Sequence, residues 1–540
     1  MVQHHTSAPA AEGRYLPQYY RWPMVARIFR VRWFKRFLAL VLGLLLGLGT
    51  AQLVSLAQDT PSVWEVGTEP AFPPFEMKDE STGDLVGFDI ELMTAMAEAA
   101  GREIKFVALP FDGLIPALQS KTISAAISGM TITAERAQTI DFTRPYFKAG
   151  LAIAVKQSDD SIKTLDDLKG KRIAVAIGTT GAKKAAEVEG ATISTFDNSP
   201  LALQELLNGR VDAVINDLPV TLYAIREANL QGLKIVGELV TEEYYGIAIP
   251  KNSDDLAAMN DALAAILQNG TYAEIYGRWF SAEPPELPLV APALAEAGTA
   301  QGLAWGRLFQ NLMRGAWITI LLTAASFFFG LIGGAMVAFA MISPIKPLRW
   351  LCRIYVDFFR GTPMLVQLFM IYFGLPALFQ SMGFDLSFNR IFAAILALSL
   401  NVAAYLAEIL RGGIQSIDRG QWEAGESLAM NPVETMRYVI FPQAFRRILP
   451  PLGNEFITLI KDTSLAAVIG FEELFRQGQL TVATTYRAFE VYLAVAIVYL
   501  IMTSLASFAF KRLEAYMDPI NRPKKAPKTP VPSAIGVSES

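Results

Sequence analysis

Residues 282–302, AEPPELPLVAPALAEAGTAQG, divide the chain into two kinds of protein. Pro284, Pro285, Pro288 and Pro292 crowd this stretch, whose charges are the three glutamates Glu283, Glu286 and Glu296. Proline fixes φ and removes a backbone donor, so this density blocks helix and sheet and predicts an extended tether over 282–303. Ahead of it, over 63–280, charged residues are frequent and no uncharged run is long enough to span a bilayer. Behind it, no charge occurs between Arg314 and Lys346, between Arg360 and Asp385, or between Arg390 and Glu408, and a fourth apolar run covers 491–510. Each of these runs is long enough, or nearly so, to cross ~30 Å of hydrocarbon as a helix.

Charge bias orients the runs. Lys346, Arg349 and Arg353 follow the first, and Arg411, Arg419, Arg437, Arg446 and Arg447 follow the third. Lys511, Arg512, Arg522, Lys524 and Lys525 follow the last, so the first two of these segments, as loops, and the C-terminus are expected inside. An even number of crossings must then separate the third span from the C-terminus. The second of them is a poorly apolar segment around 448–471, whose Glu455, Lys461 and Asp462 should face protein or water rather than lipid. Five spans over 304–518, entered from outside and ending in a cytoplasmic tail at 519–540, are the result.

The 540-residue composition agrees: 52% of residues are hydrophobic and 18% charged. A net charge of −4 argues against nucleic acid. One cysteine, Cys352, permits no internal disulfide, and the two histidines, His4 and His5, leave nothing for a His/Cys metal site or a Ser-His-Asp triad. No catalytic and no metal residues are therefore expected. Residues 1–36 are a basic extension, and 37–57 read as a signal peptide or an uncleaved signal anchor. Either reading places the domain over 60–281 outside the cytoplasm. In that outer part 172–177 and 213–215 read as buried strands and 201–207 as a helix, an alternation that implies an α/β domain with largely parallel sheets.

Five short stretches of the outer part, in order, carry a resemblance. They are Phe72-Pro73-Pro74-Phe75-Glu76, Gly87-Phe88-Asp89-Ile90-Glu91-Leu92, Leu114-Ile115-Pro116-Ala117-Leu118, Thr131-Ile132-Thr133-Ala134-Glu135-Arg136 and Asp141-Phe142-Thr143. Over nearly all of 63–280 the sequence resembles the periplasmic amino-acid-binding proteins. That resemblance implies two α/β lobes closing on a ligand: a domain over 60–281, with lobe one at 62–147 plus 247–281 and lobe two at 148–246. A free amino acid carries a carboxylate and an ammonium, and both need partners once water is excluded. By resemblance Arg136 grips the carboxylate, Thr131 and the backbone at Ser128, Gly129 and Thr180 add donors or acceptors, and Asp217 meets the ammonium. From residue type alone, Arg136 could equally be a surface residue at a helix start, and Asp217 a helix cap. Phe72 and Phe111 match positions that flank the ligand side chain. Glu69 stands where glutamine binders and lysine/arginine/histidine binders carry an aspartate. An acid there attracts a cation or an amide N–H and repels a carboxylate. This disfavours acidic ligands, and Asn216 and Ala176, which stand in place of a histidine and a lysine of the glutamine-binding pattern, make glutamine less secure and favour basic amino acids somewhat.

The membrane part resembles permease subunits of the histidine/glutamine type over about 305–518. The hallmarks are residues 359–367 (FRGTPMLVQ), 405–413 (YLAEILRGG) and 461–465 (KDTSL). Between them Gly420-Gln421-Trp422-Glu423-Ala424-Gly425 and Phe441-Pro442-Gln443-Ala444 resemble the cytoplasmic loop that such permeases insert into an ATPase. Glu423, Ala424, Gly425, Ala429 and Pro442 are its expected coupling residues. Ala429 replaces the usual glycine, and Phe441 the usual leucine. Residues 178–184 (GTTGAKK) lack the spacing of a phosphate loop, so no cofactor is expected in this chain and ATP with magnesium belongs to a separate ATPase.

The expected architecture is multi-domain: a two-lobed α/β periplasmic-binding-protein domain, then an all-α five-helix ABC permease domain in the bacterial inner membrane. The resemblance implies an amino-acid substrate, two ATPase copies, and a second permease chain, either a copy of this one in a homodimer or a close relative. An amino-acid-gated channel of the glutamate-receptor type is the competing reading. Such receptors insert the pore between the lobes, and here both lobes finish before the first span beyond the linker.

Overall fold

The computed structural model describes residues 63–79, 81–227, 230, 232–292, 304–383 and 388–517. The expected basic extension, the apolar segment at 37–57, the linker beyond 292 and the tail at 519–540 lie outside the described residues. The described part of the linker has no regular structure over 283–288, as its prolines require, but it is not a free tether. Leu287 packs against a core of the first lobe and Ala291 is buried.

Two five-stranded sheets form the outer domain. In the first the order is Ile104–Ala108, Trp64–Thr68, Ala125–Ala126, Ala248–Pro250, Ile140–Phe142. In the second it is Thr192–Phe196, Arg172–Ala176, Ala213–Asp217, Leu151–Lys156, Leu233–Val236. The sheets are mixed rather than largely parallel. Leu151–Lys156 runs antiparallel to both neighbours, and so does Ala248–Pro250. The reason is topological: these are the strands on which the chain enters lobe two and returns from it. Between the lobes, Phe147–Ala149 and Glu243–Tyr245 pair antiparallel as a hinge.

Aromatic side chains fix the hinge to lobe one. Phe75 lies 4.9 Å from Phe147 and 5.3 Å from Tyr245, both edge-on, and Phe147 stacks on Tyr245 at 5.7 Å. Each such pair contributes about 0.5–1.5 kcal/mol beyond the area it buries. The motif around Phe75 and Phe88 therefore builds the pivot, while its buried carboxylates Glu76 and Asp89 accept from Ser128 and from the Gly129 N–H.

In the membrane part, Trp305–Ile342, Arg390–Gln415 and Ala488–Met517 are long and apolar enough to cross a bilayer. Lys346–Gly361 and Met364–Phe379 form a pair bent by 110°, a fourth crossing if taken as one broken span. Phe441–Asp462 matches the expected poorly apolar span in length, about 33 Å at 1.5 Å per residue. It falls short in apolarity, with Glu455 and Asp462 half-buried and Lys461 exposed. Trp305–Ile342 packs closely on Arg390–Gln415 through Gly330 and Gly334. A Cβ on Gly330 would come within 2.1 Å of Val402, and one on Gly334 within 2.8 Å of Leu406. Small residues four apart let two membrane helices approach this closely, while Phe328, Phe329 and Met336 turn outward.

Candidate functional site

A narrow, nearly closed cleft lies between the lobes, lined among others by Glu69, Phe72, Phe111, Gly129, Thr131, Arg136, Thr180 and Asp217. Eight of the nine candidate ligand residues thus converge. The ninth, Ser128, lies directly behind. Its hydroxyl donates to Glu76 at 2.5 Å and accepts from the Glu69 backbone N–H at 3.1 Å, which fixes the Glu69 backbone. The Gly129 N–H, expected to face a ligand, is committed to Asp89 at 2.9 Å. Gly129 has φ 51° and a Cβ there would sit 2.4 Å from the Phe72 ring, so glycine is required on both counts.

Arg136 and Asp217 both line the cleft. Arg136 does begin a 3-10 turn, Arg136–Gln138, yet it is only 3% exposed. Its guanidinium donates to the Thr131 carbonyl at 2.7 Å and, across the cleft, to the Gly178 carbonyl at 2.9 Å, with its carbon 5.3 Å from the Phe111 ring centre. Asp217 does stand at the N-cap of Leu218–Arg226, but its side chain makes no capping bond. It accepts instead from the Tyr245 hydroxyl. Both residues occupy helix starts for backbone reasons and direct their side chains to the cleft.

Glu243 and Tyr245 were not singled out in the sequence. Glu243 accepts from Thr131 at 2.7 Å and from Thr180 at 2.9 Å, joining a residue of each lobe to the hinge strand. The signal was present: Glu243 and Tyr245 share one face of a strand whose middle residue, Tyr244, is less buried. Asn216, where the glutamine-binding pattern has a histidine, bonds Ser199 and Thr221 and does not line the cleft.

Burial dominates the electrostatics. It pushes the Glu69 carboxyl up to about 8, reinforced by the charges of Asp112 and Asp197. It pushes Asp217 up to about 7, with Glu243 adding to the rise and the Tyr245 hydroxyl and Arg136 opposing it. The expectation of a plainly ionised Glu69 at neutral pH therefore needs correcting. With the protein's own groups alone, Glu69 is mostly protonated there, and a cation beside it is what would ionise it.

In the membrane domain Glu423, Ala424 and Gly425 lie on the short helix Arg419–Ser427, and Pro442 opens the helix Phe441–Asp462. A Cβ on Gly425 would come within 2.6 Å of Thr435, so glycine seats this helix on the next. Ala429 has φ 58°, which explains the usual glycine at this position. Leu428 and Val433, each 74% exposed, project beside it.

A two-lobed domain with a charged cleft, fused to close-packed membrane helices, defines a solute-binding protein joined to a transporter. Residues 64–282 match bacterial extracellular solute-binding proteins, family 3, and residues 330–519 match the binding-protein-dependent transport system inner membrane component. The probable amino-acid permease YxeN of Bacillus subtilis is 44% identical over 37% of this chain and 88% of that protein. The glutamine transport system permease GlnP of Escherichia coli K12 is 43% identical over 38% of this chain and 92% of that protein. An ancestral arginine-binding protein bound to arginine is 50% identical over 40% of this chain and 98% of that chain, with a TM-score of 0.39. The chain belongs to the amino-acid ABC importer permeases, fused here to their solute-binding domain. It is an inner-membrane protein with a periplasmic binding domain, and it works with an ATPase partner.

Proposed function

We propose that this importer takes up basic amino acids, with glutamine as a weaker substrate. The groups lining the cleft carry the reading: one cation, Arg136, faces two carboxyl groups, Glu69 and Asp217, and a cationic side chain beside Glu69 is what ionises it. A zwitterion satisfies Arg136 and Asp217 and leaves Glu69 for the side chain. Arginine or lysine brings the missing positive charge, and Phe72 and Phe111 offer faces on which a guanidinium can stack. Glutamine offers only a neutral amide. Glutamate would put a carboxylate beside Glu69.

The bound domain delivers its ligand to the membrane helices of the same chain. ATP-driven closure of two ATPase copies, transmitted through Glu423, Ala424, Gly425, Ala429 and Pro442, switches their access from outside to inside. A homodimer supplies the two membrane halves, the C-terminus faces the cytoplasm, and this chain holds no cofactor of its own. Two of the curated relatives are named as permeases for glutamine (GlnP) and for arginine (ArtQ of Bacillus subtilis, 37% identical), which is consistent with this substrate range. The test is a calorimetric competition series on the full chain with arginine, lysine, histidine, glutamine and glutamate. Glutamate binding as tightly as arginine would overturn the assignment.

A further inference from the structure

The helix Leu474–Thr485 lies outside the long apolar spans and is capped by Glu473, whose carboxylate accepts from the backbone N–H groups of Phe475 and Arg476. From it Arg476 reaches into the outer domain. Its side chain is 0% exposed, an extreme for an arginine. One terminal nitrogen donates to Asp197 at 2.6 Å and the other to the Thr195 carbonyl at 2.6 Å. Both partners belong to lobe two.

The same helix also reaches lobe one. Ala483 and Asp112 each lie 3.7 Å from the position a Cβ on Gly178 would take, so lobe one, lobe two and the membrane domain meet at that point. Tyr486, just past the helix, packs against the group containing Leu114, Ile115 and Leu118 of lobe one. Asp112 is pushed up by burial and by the charge of Asp197, and pulled down by Arg476. Of two carboxylates on opposite lobes, Asp197 therefore bonds the guanidinium of the membrane domain directly, while Asp112 lies at the same junction and is influenced through its charge alone.

The two lobes are held differently. Lobe two has further polar ties to the membrane part. Arg210 donates to the Tyr372 carbonyl at 2.6 Å with its guanidinium 3.8 Å from that ring, and the Tyr372 hydroxyl donates to Glu205. Arg390 donates to Ser194 and to the Gly470 carbonyl. Lobe one meets the helix through apolar contact and through Asp112. Opening of the cleft would carry Asp112 away with lobe one and leave Asp197 on Arg476. Bringing Asp112 back sets two like charges together in a desolvated place, which is unfavourable unless a cation accompanies them.

We propose that Arg476 is a closure sensor: it completes its ionic surroundings only when Asp112 and Asp197 are brought together, so the membrane domain tells the shut, loaded binding domain from the open one. This rests on the cleft between the lobes being the ligand site. By reciprocity, docking on Arg476 also favours closure.

The test uses the full chain with its ATPase partner in nanodiscs, and arginine as ligand. Calorimetry gives the Kd, and phosphate release gives stimulation of ATP hydrolysis by arginine. In Arg476→Gln and in Asp197→Asn, arginine should still bind within about fivefold of wild type, while its stimulation of hydrolysis drops at least about fivefold. The double variant should lose no more than either single one, because both remove the same interaction. Arg476→Lys, keeping the charge without the fork, should fall between. Unchanged stimulation in Arg476→Gln, or losses that multiply in the double variant, would overturn the proposal. If the cleft reading itself is wrong, Arg136→Ala binds arginine like wild type, a different result from any of these.

Discussion

The Tyr245 hydroxyl donates to the Asp217 carboxylate, tying the hinge strand Glu243–Tyr245 to the end of the central strand of lobe two. A bond to the ionised form lowers a carboxyl's pKa, and here it opposes the burial that pushes Asp217 up to about 7. Tyr245→Phe removes that support. Asp217 should then rise further above about 7, leaving less of it ionised at neutral pH. Binding of every amino acid should weaken several-fold at pH 7 and recover toward wild type by pH 9. A defect that persists unchanged at pH 9 would show that Tyr245 acts through shape and not through the charge of Asp217.

Arg136→Ala and Asp217→Asn each leave a ligand charge unpaired in a closed cleft, which costs about 2–5 kcal/mol. Affinity measured on the full chain should fall at least about thirtyfold in either variant, since 1.4 kcal/mol corresponds to tenfold. Circular dichroism should report an intact fold, because neither side chain caps the helix it begins.

How legible a feature was in the sequence depends on what its residues do. Apolar runs and their flanking charges were legible because lipid permits little else, and the proline-rich boundary because proline excludes both helix and sheet. Eight of the nine expected ligand residues line one cleft because motif order implies lobe order. Three things were not legible. The commitment of the Gly129 N–H to Asp89 depends on a partner forty positions away. The raised Glu69 carboxyl depends on burial and on Asp112 and Asp197, none of which a linear string displays. The role of Arg476 depends on two domains meeting, while in sequence it is one arginine in a short polar helix.

Ala429 carries a backbone penalty that a glycine would not. A non-glycine residue at φ 58° costs of order 1–3 kcal/mol. Ala429→Gly should therefore stabilise the full chain by about 1 kcal/mol, read as a rise in the thermal unfolding midpoint in detergent. Glu423 lies exposed beside this turn and pairs with Arg419 at 3.2 Å. Since an exposed pair of this kind contributes at most about 1 kcal/mol, Glu423→Ala should leave stability nearly unchanged. Transport and coupled ATP hydrolysis should nevertheless fall, with ligand affinity unaltered. A fall in ligand affinity would show that the loop does not act on the cytoplasmic side.

Proton release should separate three ligands by the charge each brings to Glu69. With its carboxyl near 8, Glu69 holds a proton at neutral pH. An arginine or lysine side chain must expel that proton, so binding releases up to one proton and affinity rises up to tenfold per pH unit until about pH 8. Glutamine can accept a bond from the protonated form and needs no expulsion. Asp217 must ionise for the ammonium of any amino acid, so its contribution below about pH 7 is common to all ligands and cancels in a ratio. The ratio of glutamine Kd to arginine Kd should thus climb between pH 6 and 8 and level off above. Histidine is different, because a neutral imidazole, abundant above about pH 6.5, can take the Glu69 proton onto itself. It should bind with no Glu69-linked proton release between pH 6.5 and 8, and more weakly than arginine at pH 8. Calorimetry in two buffers of different ionisation enthalpy counts the protons directly. Glu69→Gln should remove the slope for arginine and leave that for glutamine as it was. An arginine-to-glutamine ratio independent of pH in the wild type would place the ligand side chain away from Glu69, and the preference for basic amino acids would lose its basis.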